Sequence, residues 1–103
     1  MNEITQQIEQ TGPAEYTVTL LKDGEEYGEE VFTRSNAVFP AYRTLINVLR
    51  DFEDKTVHVL TDSAPLAREF NNTPNPNATM LRQLNDVVAR QGLTVIITHN
   101  NGN

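Results

Sequence analysis

The chain has 103 residues, a formal net charge of −6, 38% apolar residues and no cysteine. That length holds one domain with one modest core, spanning 1–103, and the lack of cysteine excludes disulfide scaffolds, thiolate metal sites and thiol catalysis. Two histidines, His58 and His99, are too few for a multi-histidine centre. No apolar run approaches the ~20 residues of a membrane helix, and the polar start MNEITQQIEQ has neither part of a signal peptide, so a cytoplasmic protein with no membrane contact is expected.

Residues 1–13 are polar and end in Thr11-Gly12-Pro13, a loop signal. Ile4 and Ile8 fit one turn of helix, and their even spacing fits a strand equally, so the segment reads as weakly ordered or a poor first strand. Residues 14–33 read as a β-hairpin. Tyr16, Val18 and Leu20 alternate with Thr17, Thr19 and Leu21. Asp23-Gly24 is a tight-turn pair, because both positions tolerate positive φ. The return strand runs from Tyr27 to Phe32, and Gly28 within it marks a bulge or an edge.

After the polar break Thr33–Asn36, the residues Val38, Tyr42, Leu45, Ile46, Leu49 and Phe52 form one apolar helical stripe, with Pro40 in the first turn. Thr56 to Thr61 is a short β-branched strand. Ser63 is a good helix cap for a short helix from Leu66 to Phe70, with Pro65 in its first turn. Asn71 to Asn77 reads as a plain loop, with a contact surface as the alternative. A second amphipathic helix covers Thr79 to Gln91, closed by Gly92 as a left-handed C-cap. Leu93 to Thr98 is a near-continuous apolar run, the pattern of a strand covered on both faces. The two late strands are joined through helices and should therefore be parallel, which gives a mixed α/β sheet with an antiparallel hairpin and flanking helices. Leu45, Leu49, Leu84, Val88, Val95 and Ile97 are expected in one core.

Charge is unevenly placed. Residues 1–30 hold eight acids against Lys22, giving −7, and residues 31–103 hold six acids against seven bases, giving +1. Glu25, Glu26, Glu29 and Glu30 sit at the hairpin tip and outer strand, where they discourage edge pairing and form a candidate interaction surface. Strong grip on a phosphate backbone scales with clustered Lys and Arg, so nucleic acid is not expected as a partner. A protein partner, basic in character, is expected instead, with a homodimer through a sheet edge as a further option.

The motifs, taken together, resemble type 1 ribonuclease H. Gly12-Pro13 leads into the second strand as that family's Gly-Pro turn does. Thr33-Arg34-Ser35-Asn36-Ala37-Val38-Phe39 is similar to its T-N-N-x-A-E-L lead into the first long helix. Thr61-Asp62-Ser63 matches its T-D-S, and His99-Asn100-Asn101-Gly102 is similar to its G-H-x-G loop. The resemblance implies a ribonuclease H-like fold and, in active members, four carboxylates that hold two Mg²⁺ ions around a phosphodiester. Carried over residue by residue, the first-strand acid falls near Ile4 or Thr5, the helix Glu falls on Val38, and only Asp62 keeps a carboxylate. The family's fourth acid lies in a helix later than any in this sequence.

Asp62 therefore reads first as a cap at a helix start, and second as a metal-ligating or catalytic position. His99 reads as a polar strand end, with general base as the alternative, and His58 as a surface residue. The expectation is a ribonuclease H-like domain without catalysis, with no cofactor. It would act as a protein-binding accessory module of the kind viruses and mobile elements encode. Two alternatives stand beside it: a divergent Mg²⁺-dependent nuclease centred on Asp62 and His99, and an acidic inhibitor that mimics nucleic acid.

Overall fold

The computed structural model describes residues 2–72 and 78–100. Its elements are β1 (Glu3–Gly12), β2 (Glu15–Lys22), β3 (Glu25–Thr33), α1 (Val38–Leu49), β4 (Thr56–Thr61), α2 (Ala64–Asn71), α3 (Ala78–Arg90) and β5 (Thr94–His99). The five strands form one sheet in the order β3-β2-β1-β4-β5. The first three are antiparallel neighbours, whereas β4 runs parallel to both β1 and β5. The mixed sheet expected from the element order is therefore present, and the two late strands are parallel and adjacent as expected.

The first segment is a full strand at the centre of the sheet. Ile4, Gln6 and Ile8 face the helices, and Ile4 and Gln6 are completely buried. The sequence pattern hid this because one of the three inward positions is a glutamine, which reads as surface until its partners are known. The helices pack on the face that carries Ile4, Val18, Leu20, Val57, Val59 and Ile97. On the opposite face Gln7, Glu9, His58, Ile96 and Thr98 are exposed. The apolar run of β5 is thus an edge strand with one open face, not a strand covered on both; Ile96 is 46% exposed.

Leu45, Leu49 and Leu84 are fully buried and Ile97 nearly so, while Val88 and Val95 pack at the margin of the same core, half-buried. The apolar stripe from Val38 to Leu49 lies in α1. Phe52, expected on the same helix, falls beyond its end yet is buried against the core. Gly92 follows α3 with φ +65°, the left-handed conformation expected of the cap. No helix among the described residues is long and apolar enough to cross a membrane.

The hairpin turn has both central residues at positive φ, Asp23 at 52° and Gly24 at 88°. Its register slips between Leu20 and Leu21, which leaves Tyr27 as the extra residue of a bulge beside Gly28. The bulge re-aims Tyr27, whose hydroxyl donates to Asp51 Oδ2 at 2.5 Å. Lys22 stands 5.1 Å from the Phe52 ring centroid and 5.7 Å from that of Tyr27. The hairpin is thereby latched to the chain that leaves α1.

A second polar contact lies deep inside. The Tyr42 hydroxyl donates to Glu69 Oε1 at 2.6 Å, and the two residues are 0% and 4% exposed. Burial, and then the bond to the Glu69 carboxylate, raise the Tyr42 hydroxyl above the ordinary tyrosine value of 10.0. The folded state therefore holds this proton more tightly than the unfolded chain. Its contribution is complete below pH 10 and is lost as pH rises toward the folded value. Stability is expected to fall above pH 10 by up to about 1.4 kcal/mol per pH unit for this group. Tyr42→Phe should flatten that slope and leave only a smaller residue from Tyr27, which Asp51 also raises. Denaturant midpoints measured from neutral pH to pH 11 decide it, and an unchanged alkaline slope in the Phe variant contradicts the assignment.

Candidate functional site

The C-terminal ends of β1 and β4 meet the N-terminal ends of α1 and α2. There they enclose a cleft of about 410 Å³ lined by Ile8, Gln10, Tyr16, Ala37, Val38, Asp62, Ser63, Ala64 and Pro65. Its position follows from the topology. In an open sheet, the crevice outside the carboxyl ends of parallel strands is where ligands gather, and β1 and β4 are a parallel pair.

Asp62 follows β4 and is exposed. Its backbone N–H donates to Gln6 O at 3.1 Å. Its Oδ2 accepts the N–H of Ile8 at 2.9 Å. The carboxylate therefore fastens β4 to β1 rather than capping α2, which corrects the first reading of this residue. The cap of α2 is Ser63, as expected, whose Oγ accepts the Leu66 N–H at 3.2 Å. The position of β1 beside Asp62 is Ile8, not Ile4 or Thr5. Ile4 pairs with Val59, three residues before Asp62. Val38 opens α1, and its N–H is held by Asn36 Oδ1 at 2.9 Å.

Among the described residues, Asp62 is thus the one carboxylate lining the cleft. The remaining walls are aliphatic at Ile8, Ala37, Val38, Ala64 and Pro65, with polar groups at Gln10, Tyr16 and Ser63. Two Mg²⁺ ions each want six oxygen ligands, and this donor set does not fit them. One of the two Asp62 oxygens is moreover committed to Ile8. Among the described residues no cluster of three or more His, Cys, Asp or Glu side chains could hold a metal ion.

His99 ends β5 opposite Thr61 in register, at the same end of the sheet as Asp62 but one strand further out, and is exposed. It does not line the cleft. Beyond Asn100 the G-H-x-G-like segment lies outside the described residues, as do 73–77 of the expected Asn-rich loop. Asn71, expected in that loop, is the last residue of α2, and its Nδ2 donates to Ile97 O at 3.2 Å. Glu25, Glu26, Glu29 and Glu30 are all exposed on β3, and none lines the Asp62 cleft. His58 is exposed on the open sheet face.

Sequence reading missed the layer beneath the cleft. Gln6 Nε2 donates to Ala41 O at 2.8 Å and to Thr44 Oγ1 at 2.7 Å, and Gln6 Oε1 accepts from Thr61 Oγ1 at 2.5 Å. Thr44 passes its own proton to Pro40 O at 2.9 Å, and Thr61 Oγ1 also takes the Ser63 N–H at 3.0 Å. All four polar side chains, Gln6, Thr44, Thr61 and Ser63, are buried. The network ties β1, α1, β4 and the start of α2 together behind Asp62. The signal that could have found it is the even spacing of Ile4, Gln6 and Ile8.

The chain has the ribonuclease H-like fold. No family model and no curated protein matches its sequence, whereas solved structures match it over nearly the whole chain. LC11-RNase H1, isolated from compost and crystallised in complex with an RNA/DNA hybrid, superposes with a TM-score of 0.70 at 14% identity, covering 97% of this chain and 85% of the other. RNase H1 of Halobacterium salinarum gives 0.63 at 18% identity, covering 96% and 84%. The N-terminal RNase H domain of a Mycobacterium tuberculosis protein gives 0.65 at 14%, covering 97% and 83%.

These neighbours overturn one expectation. Nucleic acid was set aside on the net charge of −6 and the acidic hairpin, yet the fold is that of an RNase H1 crystallised on an RNA/DNA hybrid. The inference failed because a net charge sums over faces that point in different directions, while a polyanion meets only one of them.

Proposed function

We propose that this chain is a ribonuclease H-like domain that engages nucleic acid without hydrolysing it by the two-metal route. The observation that carries the first half is the fold shared with an RNase H1 seen on an RNA/DNA hybrid. The second half rests on the cleft, where Ile8 and Val38 stand beside a single carboxylate, Asp62. An aliphatic side chain offers no electron pair to a hard cation, so neither position replaces a lost ligand. A lone carboxylate already bonded to a backbone N–H can attract one hydrated cation, which is insufficient for turnover.

The test is incubation of pure protein with a labelled RNA/DNA hybrid in Mg²⁺ and in Mn²⁺, beside a binding titration on the same substrate. Binding without product is the expected result. Cleavage that disappears in Asp62→Asn overturns the proposal and makes Asp62 a catalytic ligand; a chain that does not bind the hybrid at low salt overturns the nucleic-acid half.

A further inference from the structure

Arginine is segregated in this molecule. In α1 every residue from Pro40 onward is buried except Arg43 and Asn47, and Arg50 continues that stripe just past the helix end. Residues at i, i+4 and i+7 lie on one side of a helix. On α3, which packs beside α1, the exposed residues include Arg82, Gln83, Asn85, Asp86 and Arg90. Arg50, Gln83, Asp86, Arg90 and Gln91 line one groove of about 360 Å³ between the two elements. Gln91 Nε2 donates to Arg50 O at 3.1 Å and to Phe52 O at 2.9 Å, which fixes the groove's end.

Four of the six arginines thus share the outer face of the helical layer with one acid, Asp86, for a local balance of +3; the rest of the chain carries −9. Asp86 pairs with Arg90 at 3.0 Å. Among the described residues Arg43, Arg50 and Arg82 pair with no carboxylate. Of the three acids that follow Arg50 in the chain, Asp51 takes the Tyr27 hydroxyl, Glu53 is exposed, and Asp54 lies against Gly92 beyond the groove's end. In a protein with 14 acids, three guanidinium groups without partners on one face leave that face charged toward solvent.

We infer that the α1–α3 face is a docking surface for the phosphate backbone of a nucleic acid. The inference rests on the reading of the chain as a nucleic-acid-engaging domain and supplies the surface that does the holding. Arg43 and Arg50 stand about 10 Å apart along the helix axis at 1.5 Å per residue. Arginine offers a planar fork of donors that matches phosphate oxygens. Asn47, Gln83 and Asn85 between the arginines are neutral donors of the kind that contact sugar and phosphate. A grip on the phosphate backbone carries no sequence information and is sensitive to salt. The surface carries Asp86 at its centre, where it competes with phosphate for Arg90.

The experiment is a fluorescence-anisotropy titration of a short labelled RNA/DNA hybrid with the full chain, over a range of salt, for wild type, Arg43→Gln, Arg50→Gln, Arg90→Gln and Asp86→Asn. All substituted residues are exposed, and thermal midpoints verify the fold. Each Arg→Gln variant at a contacting position should lower the slope of log K against log salt by about 0.9, which is about eightfold in affinity near 0.1 M salt. Asp86→Asn should tighten binding, an outcome that a merely structural role would not produce. Wild type that binds while all the arginine variants bind equally well overturns the face and leaves the nucleic-acid reading standing. Wild type that fails to bind at the lowest salt overturns both. Displacement of the hybrid by poly-glutamate as effectively, charge for charge, as by unlabelled hybrid assigns the face to an acidic polypeptide and overturns the inference as well.

Discussion

Replacing Gln6 with alanine is expected to lower the free energy of unfolding by about 3–5 kcal/mol. Gln6 is completely buried and commits both amide N–H groups and its carbonyl to three partners, Ala41 O, Thr44 Oγ1 and Thr61 Oγ1. Alanine removes the amide and leaves a carbonyl and two hydroxyls in the core short of a partner. Each such orphan costs about 1–3 kcal/mol, reduced where the group keeps another bond. Thr44 keeps Pro40 O and Thr61 keeps the Ser63 N–H, so the loss stays below the sum of three full penalties. The cavity adds to it. Gln6→Met separates the two effects, since it restores most of the volume and none of the hydrogen bonds. If the Met variant is as unstable as the Ala variant, the loss is polar; recovery to near the wild-type urea midpoint would show that the amide merely fills space.

Leu49→Ala should cost about 2–5 kcal/mol for a different reason, because no polar group is involved. Leu49 is 0% exposed at the last turn of α1, within the cluster that includes Leu45, Leu84 and Phe52. The loss combines transfer of the missing methyl groups with the void they leave, and closely packed neighbours cannot collapse into that void freely. The value is read from urea unfolding followed by far-ultraviolet circular dichroism. A midpoint unchanged by the substitution would mean that the α1 stripe does not face the core.

The apolar periodicities of α1 and α3, the Asp-Gly turn and the pairing direction of the late strands were all legible, because each depends on a pattern local to one element. The fold followed from their order. Three features were not legible, and each depends on contacts far apart in the chain. Gln6 reads as surface unless Thr44 and Thr61 are known to stand beside it. The continuous apolar run of β5 matches a doubly covered strand, but whether a helix lies over its second face is decided by topology, and Ile96 is open. Asp62 has a good helix-cap position next to Ser63, yet its carboxylate is drawn to the Ile8 N–H on a strand more than fifty residues earlier in the sequence. The aliphatic lining of the cleft was half readable: Val38 lies on the apolar stripe of α1, whereas the residue of β1 beside Asp62 required the register.

The placement of β1 at the centre of the sheet also governs when the sheet can form. Its antiparallel partner is only a turn away, but its parallel partner begins at Thr56, with Ile4 set against Val59. A chain emerging from its N-terminus can close the three-stranded meander early. Gln6 must then wait for all three of its side-chain partners, since Ala41, Thr44 and Thr61 lie beyond the meander, and β5 has nothing to pair with before β4 is seated. Bringing residues this distant together carries the loop entropy that slows folding. Until β4 is seated, a closed meander would carry β1 as an open edge in addition to that of β3. That is the stage at which strand addition by a neighbouring molecule would be most damaging.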